Sequence, residues 1–152
     1  MHTIDRVFVR ASLAKVFALA QDIERWPEIL SHYRWVRVLE RRVGGARVEM
    51  AAWRPFGPPP LRYPTRWVSE MEVEPAAAEI RYRHVAGITR GMDVRWTMRE
   101  TEDGVAVEIV HDWAGPPWPL VGRLAARFVI GPVFVHGIAA RTLQGLRRRA
   151  EA

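Results

Sequence analysis

The sequence predicts an α+β fold, in which a curled seven-stranded antiparallel sheet packs around one long C-terminal helix, with two short helices after the first strand. Two observations support this prediction. The hydrophobic patterns follow the order strand, two helices, six strands and long helix, and only short breaks separate the six consecutive strands. Short connections make consecutive strands antiparallel neighbours. A sheet of this size can curl, and the apolar helix then has to pack on its concave face.

The first strand and the two short helices occupy the N-terminal part of the chain. Thr3–Arg10 alternates in polarity and is rich in β-branched residues, which is typical of a strand. Ser12 is expected to cap the first helix, and Asp22 a second, shorter helix that contains Trp26. Tyr33 lies where this second helix gives way to the next strand. The apolar face of the first helix is formed by Leu13, Val16, Phe17 and Ala20.

Six further strands and a final helix complete the predicted fold. Gly44-Gly45 and Glu102-Asp103-Gly104 are hairpin signals, and Pro132 fits the first turn of a helix that runs to about Arg149. The predicted strands are approximately Arg34–Arg42, Ala46–Arg54, Leu61–Val73, Glu79–Ala86, Gly91–Thr101 and Val105–Ala114. The apolar face of the final helix is formed by Val135, Ile138, Ala139, Thr142 and Leu146.

Composition excludes several classes of function. The 152 residues suit one domain, and the absence of cysteine excludes disulfides and thiolate chemistry. The net charge of +6 is spread along the chain without a nucleic-acid-binding motif. The histidines show no metal-binding spacing, so neither a metal nor another cofactor is expected. No signal peptide or membrane span is recognised, which predicts a cytoplasmic protein that does not insert into membranes.

Four tryptophans lie on separate strand segments: Trp53, Trp67, Trp96 and Trp113. By alternation, three of them share a face with softer or polar residues, which are Ser69 and Met71, Met92 and Met98, and His111. A packed core rarely mixes indole rings with unpartnered polar groups. A ligand pocket has that composition, although each tryptophan could instead fill the core. The pattern favours a pocket for a large, flat or apolar ligand.

The chemistry available to such a pocket is acid–base chemistry. No nucleophile elbow or glycine-rich phosphate loop is present, so tyrosine, histidine, arginine and serine side chains would have to orient a substrate and move protons. His111 faces the same side as Ile109 and Trp113. A structural histidine that is satisfied by a backbone carbonyl remains the alternative interpretation of His111.

Several segments resemble one known family. Asp22–Glu28 followed by Tyr33, then Trp67-Val68-Ser69 and Arg95-Trp96-Thr97, are similar to the polyketide cyclase/dehydrase (aromatase/cyclase) family of the START-like, helix-grip superfamily. The resemblance extends over essentially the whole chain. It implies a helix-grip fold of residues 1–152, an internal cavity for a reactive poly-β-ketone, and aldol cyclisation with dehydration. An acyl carrier protein is then an expected partner.

The resemblance also implies roles for individual residues. Tyr33 stands where the family has a pocket tyrosine, and His111 where a polar pocket residue is expected, so both would shuttle protons. Met71 stands where the motif has a catalytic arginine, and Arg83 would instead hold an enolate or carboxylate. The residues implied to contact the ligand are Trp26, Trp53, Trp67, Ser69, Met71, Met92, Trp96, Trp113 and Thr142.

Two other functions remain open at this point. The Asp22–Glu28 segment is also similar to quinone-binding members of the superfamily, which favours a non-catalytic carrier or chaperone for a lipid or quinone. Met71 would then suit an apolar ligand, because thioethers fit irregular apolar shapes. A module that binds a partner through its basic surface is the third possibility.

Overall fold

The computed structural model describes residues 1–55, 58, 60–116, 118–120, 124 and 135–152. Seven strands form one sheet, and each of their ends lies within two residues of the predicted position. The strands are β1 His2–Val9, β2 Tyr33–Arg42, β3 Gly45–Pro55, β4 Arg62–Glu74, β5 Glu79–Gly87, β6 Asp93–Thr101 and β7 Gly104–Asp112. The predicted seven-stranded antiparallel sheet is therefore confirmed.

The sheet follows the chain from β2 to β7 and then closes back on β1. Its strand order is β1-β7-β6-β5-β4-β3-β2, and all neighbours are antiparallel. Antiparallel neighbours that follow each other need only short turns, which explains the short breaks in the sequence. The segment between β1 and β2 carries the short helices from one edge of the sheet to the other.

The helices cover the inner face of the sheet. They are α1 Leu13–Gln21, a 3-10 helix at Ile23–Arg25, α2 Trp26–Ile29 and α3 His136–Glu151. Ser12 caps α1 as predicted, because its hydroxyl accepts a hydrogen bond of 3.3 Å from the amide of Lys15. Asp22 occupies the N-cap position of the 3-10 helix, but its side chain makes no capping hydrogen bond. Pro132 lies outside the described residues.

The core lies between α3 and the inner face of the sheet. On β7, alternate residues Val105, Val107 and Ile109 are buried, as expected for a strand with one face in the core. On α3, Ala139, Leu143 and Leu146 are buried at helical spacing. Ile138 is only partly buried, so the apolar face of α3 is centred on Leu143 rather than on Ile138. Among the described residues, no helix is long and apolar enough to cross a membrane.

Candidate functional site

A cavity of about 70 Å³ lies between the inner face of the sheet and the helices α2 and α3. Aromatic rings from α2, β2, β4 and β6 surround it: Trp26, Tyr33, Trp67 and Trp96. The ring centroids of Trp26 lie 5.3 Å from Tyr33 and 5.7 Å from Trp96, and Tyr33 lies 6.2 Å from Trp67. These separations are typical of packed aromatic pairs, so the wall is continuous and apolar on this side.

Arg54 is the charged residue of the cavity wall and is only 6% exposed. It reaches the inside because β3 alternates, with Val48, Met50 and Ala52 on the same buried face. Burial lowers the pKa of its guanidinium to about 9, and the charge of an ionised Tyr33 would act in the opposite direction. A guanidinium in this position can stabilise negative charge that develops on a bound oxygen.

Two histidines face the cavity from neighbouring parts of the sheet. His84 stacks on Trp67 at 5.8 Å with 10° between the ring planes, and its Nδ1 lies 2.6 Å from the Thr89 hydroxyl. Burial, His111 and Arg54 lower the pKa of His84 to about 3. Burial and the Arg54 charge lower the pKa of His111 to about 4, against the opposing effect of Asp112. Both imidazoles are therefore neutral at pH 7.

A β-bulge follows His84 in β5. Trp67 pairs with Gly87 and Val68 with Ala86, but Ser69 pairs with His84, so β5 carries one extra residue at this point. The extra residue brings His84 and Gly87 to the same face. Gly87 has a φ of +99°, and a Cβ added there would lie 2.5 Å from the backbone oxygen of Arg66. Glycine is required, because the backbone of β4 passes where a side chain would start.

Two phenols complete the polar lining. The hydroxyl of Tyr33 has the side chain of Thr142 as a hydrogen-bond partner, and both residues line the cavity. Burial raises the pKa of Tyr33 above its usual range, while Thr142 and Arg54 lower it. Burial likewise raises the pKa of Tyr82. Within the part of the chain that the structure describes, no cluster of His, Asp and Glu could hold a metal ion.

The structure brings many of the predicted residues together. Tyr33 and His111, predicted to move protons, both line the cavity. Five of the predicted ligand contacts also line it: Trp26, Trp67, Met92, Trp96 and Thr142. Their roles remain predictions, but the positions of Trp67, Met92, Trp96 and His111 agree with the face assigned to them by alternation.

Arg83 and Trp53 do not line the cavity, and their predicted placement is wrong. Arg83 is exposed and donates hydrogen bonds of 2.9 Å to both carboxylate oxygens of Asp93 on the outer face of the sheet. Its neighbours Tyr82 and His84 point inward, so alternation turns Arg83 outward. Trp53 is half-buried on the outer face, between the guanidinium groups of Arg34 at 4.6 Å and Arg62 at 4.1 Å from the ring centroid.

Three other predicted contacts are buried but lie away from the cavity. Met71 pairs with Ala46 and Tyr82 and borders a different groove, beside the 3-10 helix. Ser69 is fully buried within the sheet. Trp113 is buried beyond the end of β7, where its indole donates a hydrogen bond of 2.9 Å to the carbonyl of Arg90. None of the three is part of the cavity wall.

Sequence reasoning missed four polar wall residues: Arg54, Tyr82, His84 and Thr89. The signal for Arg54 was present, because it continues the alternation of Val48, Met50 and Ala52. Tyr82 likewise continues the alternation that starts at Ile80. His84 continues the same alternation, whereas Thr89 lies in the turn that follows β5, for which the sequence carries no periodic signal.

Comparison with known proteins identifies the family. The model of the family described as polyketide cyclase/dehydrase and lipid transport matches residues 9–136. The chain belongs to this family. A family relative, a candidate polyketide cyclase from Streptomyces halstedii, is 29% identical over 105 residues, which cover 68% of the chain and 93% of the relative.

Solved structures show the same fold. A protein from Thermus thermophilus superposes with a TM-score of 0.81 at 19% identity, over 99% of this chain and 97% of that one. The Zhui aromatase/cyclase from a Streptomyces species gives a TM-score of 0.72 at 19% identity, over 98% and 95%. A START superfamily protein from Mycobacterium smegmatis gives 0.69 at 16% identity, over 99% and 97%. This chain therefore has the START-like, helix-grip fold.

Proposed function

We propose that the chain binds a hydrophobic, polyketide-like molecule that carries carbonyl groups and catalyses its aldol cyclisation with dehydration. One observation carries this proposal. A buried guanidinium, Arg54, shares the wall of an aromatic cavity with the phenol of Tyr33 and the neutral imidazole of His111. Membership of a polyketide cyclase/dehydrase and lipid transport family supports it.

The wall is suited to an aromatic or conjugated ligand. Trp26, Trp67 and Trp96 offer ring faces and edges, on which a flat molecule can stack. The cavity of about 70 Å³ is smaller than the cavity of about 150 Å³ that holds benzene. A ring-bearing ligand therefore has to displace wall side chains. Met50 and Met92 are the wall residues best able to move, because unbranched thioethers adopt many rotamers.

The polar residues divide the chemistry between them. Arg54 holds the oxygen that becomes an enolate, and His111 accepts the proton removed from the carbon beside the carbonyl. The enolate carbon then forms a bond to a second carbonyl carbon, and Tyr33 donates a proton to the resulting alkoxide. Loss of a second carbon-bound proton and of the hydroxyl group releases one water and leaves a conjugated ring.

A non-catalytic carrier is the second candidate. The family description includes lipid transport, and burial holds both His84 and His111 as weak bases with pKa values of about 3 and 4. A weak base removes a carbon-bound proton slowly at pH 7. Under this alternative, the aromatic wall binds the ligand and the polar groups only orient it.

The deciding experiment measures binding and turnover together. A short synthetic β-polyketone is titrated against the protein by tryptophan fluorescence, and loss of water from it is followed by mass spectrometry. Wild type should bind and dehydrate the probe. Arg54→Met should reduce turnover by about 10²–10³-fold, as expected for a lost oxyanion contact. His111→Gln should reduce it by about 10²–10⁴-fold, as expected for a lost general base.

The matched control is Arg83→Met. It removes an exposed arginine from β5, whereas Arg54 lies on β3, and it leaves the cavity wall intact. This variant should bind and turn over the probe like wild type. Tight binding by wild type without turnover would reject the cyclase and favour the carrier. Equal effects of Arg54→Met and Arg83→Met would reject the site.

A further inference from the structure

A second recess lies beside the cavity, on the other side of Thr142. It is a surface groove between the α2–β2 connection and α3, bordered by Ser31 and His32 on one side and by Arg141, Gln144 and Arg148 on the other. Thr142 belongs to the cavity wall, whereas its neighbour Arg141 belongs to the groove. One turn of α3 therefore separates the buried cavity from solvent.

Hydrogen bonds cross this separation. The Thr142 hydroxyl lies 3.0 Å from Nε2 of His32, and both side chains are buried. The same hydroxyl is the hydrogen-bond partner of the Tyr33 phenol. The rings of His32 and Tyr33 pack together, with their centroids 4.8 Å apart. A phenol facing the cavity is thus linked to an imidazole facing the groove through a single hydroxyl.

We infer that Tyr33, Thr142 and His32 form a proton relay that connects the cavity with solvent in the groove. This inference rests on the proposed function, in which Tyr33 exchanges a proton with the substrate. It assigns Thr142 and His32 as positioning and relay residues, which do not themselves contact the reacting carbon atoms.

For each proton that enters the relay at one end, a different proton leaves it at the other end. In the resting state, the Nε2–H of His32 donates to the Thr142 oxygen, and the Thr142 O–H donates to the Tyr33 oxygen, which leaves the Tyr33 O–H free to face the substrate. When Tyr33 gives its proton to the alkoxide, the Thr142 proton moves to Tyr33 and the Nε2 proton moves to Thr142. Nδ1 of His32 then takes a proton from water in the groove. The same path, run in reverse, carries away a proton that Tyr33 accepts and restores the starting state.

The charges around His32 suit this direction. Arg141 and Arg148 of α3 border the groove on the side opposite the imidazole, and Tyr33 packs against its ring. Burial and the Arg141 charge lower the pKa of His32 to about 4. A neutral imidazole has one N–H, which can donate to Thr142, and one free nitrogen, which can take a proton from water.

Two variants separate a relay from a structural role. Thr142→Val removes the hydroxyl with little change in shape, and Thr142→Ser keeps it. His32→Gln keeps a hydrogen-bond donor to Thr142 but cannot relay a proton. We expect Thr142→Val and His32→Gln to lower kcat for the β-polyketone probe by about 10²-fold while KM stays the same, and Thr142→Ser to retain most of kcat.

A second measurement is independent of turnover. The nitrogen chemical shifts of the His32 ring should show a proton on Nε2 and none on Nδ1 in wild type and in Thr142→Ser. They should show a mixture of tautomers in Thr142→Val, which no longer accepts a hydrogen bond from Nε2. A His32 tautomer that is the same in Thr142→Val as in wild type would overturn the relay, whether or not the probe is turned over.

The two proposals fail in different ways. If wild type binds the probe without turnover, the cyclase function fails, and the tautomer measurement still decides whether the hydrogen-bonded path exists. If wild type turns the probe over and His32→Gln has an unchanged kcat, the relay fails and the cyclase function stands.

Discussion

The two faces of the sheet use the same residue types for different purposes. On the outer face, arginines pair with carboxylates in solvent, as Arg83 does with Asp93. On the inner face, Arg54 is buried against the cavity beside Tyr33. A guanidinium on the outer face is screened by water, whereas burial lowers the pKa of Arg54 to about 9. A strand that turns an arginine outward places it in solvent, where it helps to keep the surface soluble. A strand that turns it inward places it in the cavity, where it is available for chemistry.

The tryptophans show the same contrast. Trp96 is 4% exposed on the inner face and packs against Trp26. Trp53 is half-buried on the outer face and is held between two guanidinium groups. An inward ring contributes through area removed from water and close packing, while an outward ring contributes mainly through cation–π contacts.

The largest effect is expected from replacing an inward tryptophan. Trp96→Ala should lower the free energy of unfolding by about 3–5 kcal/mol, because it removes a buried ring and leaves a hole in the cavity wall. Trp53→Ala should cost only about 1–2 kcal/mol, since each exposed cation–π contact contributes about 0.5–1 kcal/mol. Urea unfolding of both variants beside wild type measures the difference. Equal losses would mean that the two faces do not differ in this respect.

The next test concerns the bulge that brings Gly87 to the same face as His84. Gly87→Ala should destabilise the protein by more than about 2 kcal/mol, because φ is +99° and the added Cβ would meet the backbone of β4 at 2.5 Å. Gly44→Ala is the matched control, with a φ of +73° but its nearest contact at 3.9 Å. Its cost should be about 1 kcal/mol, from backbone strain alone. Thermal unfolding of both variants beside wild type measures the two losses of stability, and the difference between them is the cost of the steric clash at Gly87.

The fold was predictable from the sequence, whereas the polar half of the site was only partly so. Strand ends follow from local turn signals and alternation, which is why each lies within two residues of its predicted position. Alternation also assigns a face, and on β3 it is consistent with Arg54 inside and Trp53 outside. Two features have no local signal: the bulge in β5, which decides the face on which Gly87 lies, and the point along β4 at which the cavity ends, which leaves Met71 outside it.

The pH dependence of stability should come from the buried imidazoles. The pKa of His111 is about 4 in the folded protein, below the value of about 6.5 expected in the unfolded chain. Between these values the unfolded chain binds the extra proton, so stability is complete above about pH 6.5 and is lost as the pH falls towards 4. His111→Gln should therefore lose less stability than wild type over this interval.

The size of this difference follows from proton linkage. One histidine that is neutral when folded and charged when unfolded contributes at most about 1.4 kcal/mol for each pH unit. Urea unfolding of wild type and His111→Gln at several values between pH 7 and pH 4 measures it. Parallel curves for the two proteins would show that His111 is not shielded from solvent in the cavity.

The smallest effect is expected on the outer face, at Asp93. Its two carboxylate oxygens accept hydrogen bonds of 2.9 Å from the guanidinium of Arg83, and both side chains are more than half exposed. Asp93→Asn keeps the shape and removes the charge, so the free energy of unfolding should fall by about 1 kcal/mol or less. Because exposed charges are screened, the difference from wild type should shrink in 1 M salt, where the screening length is about 3 Å. A loss of several kcal/mol that persists in high salt would mean that the outer arginines behave like buried ones, and the distinction between the two faces would then rest on the cavity alone.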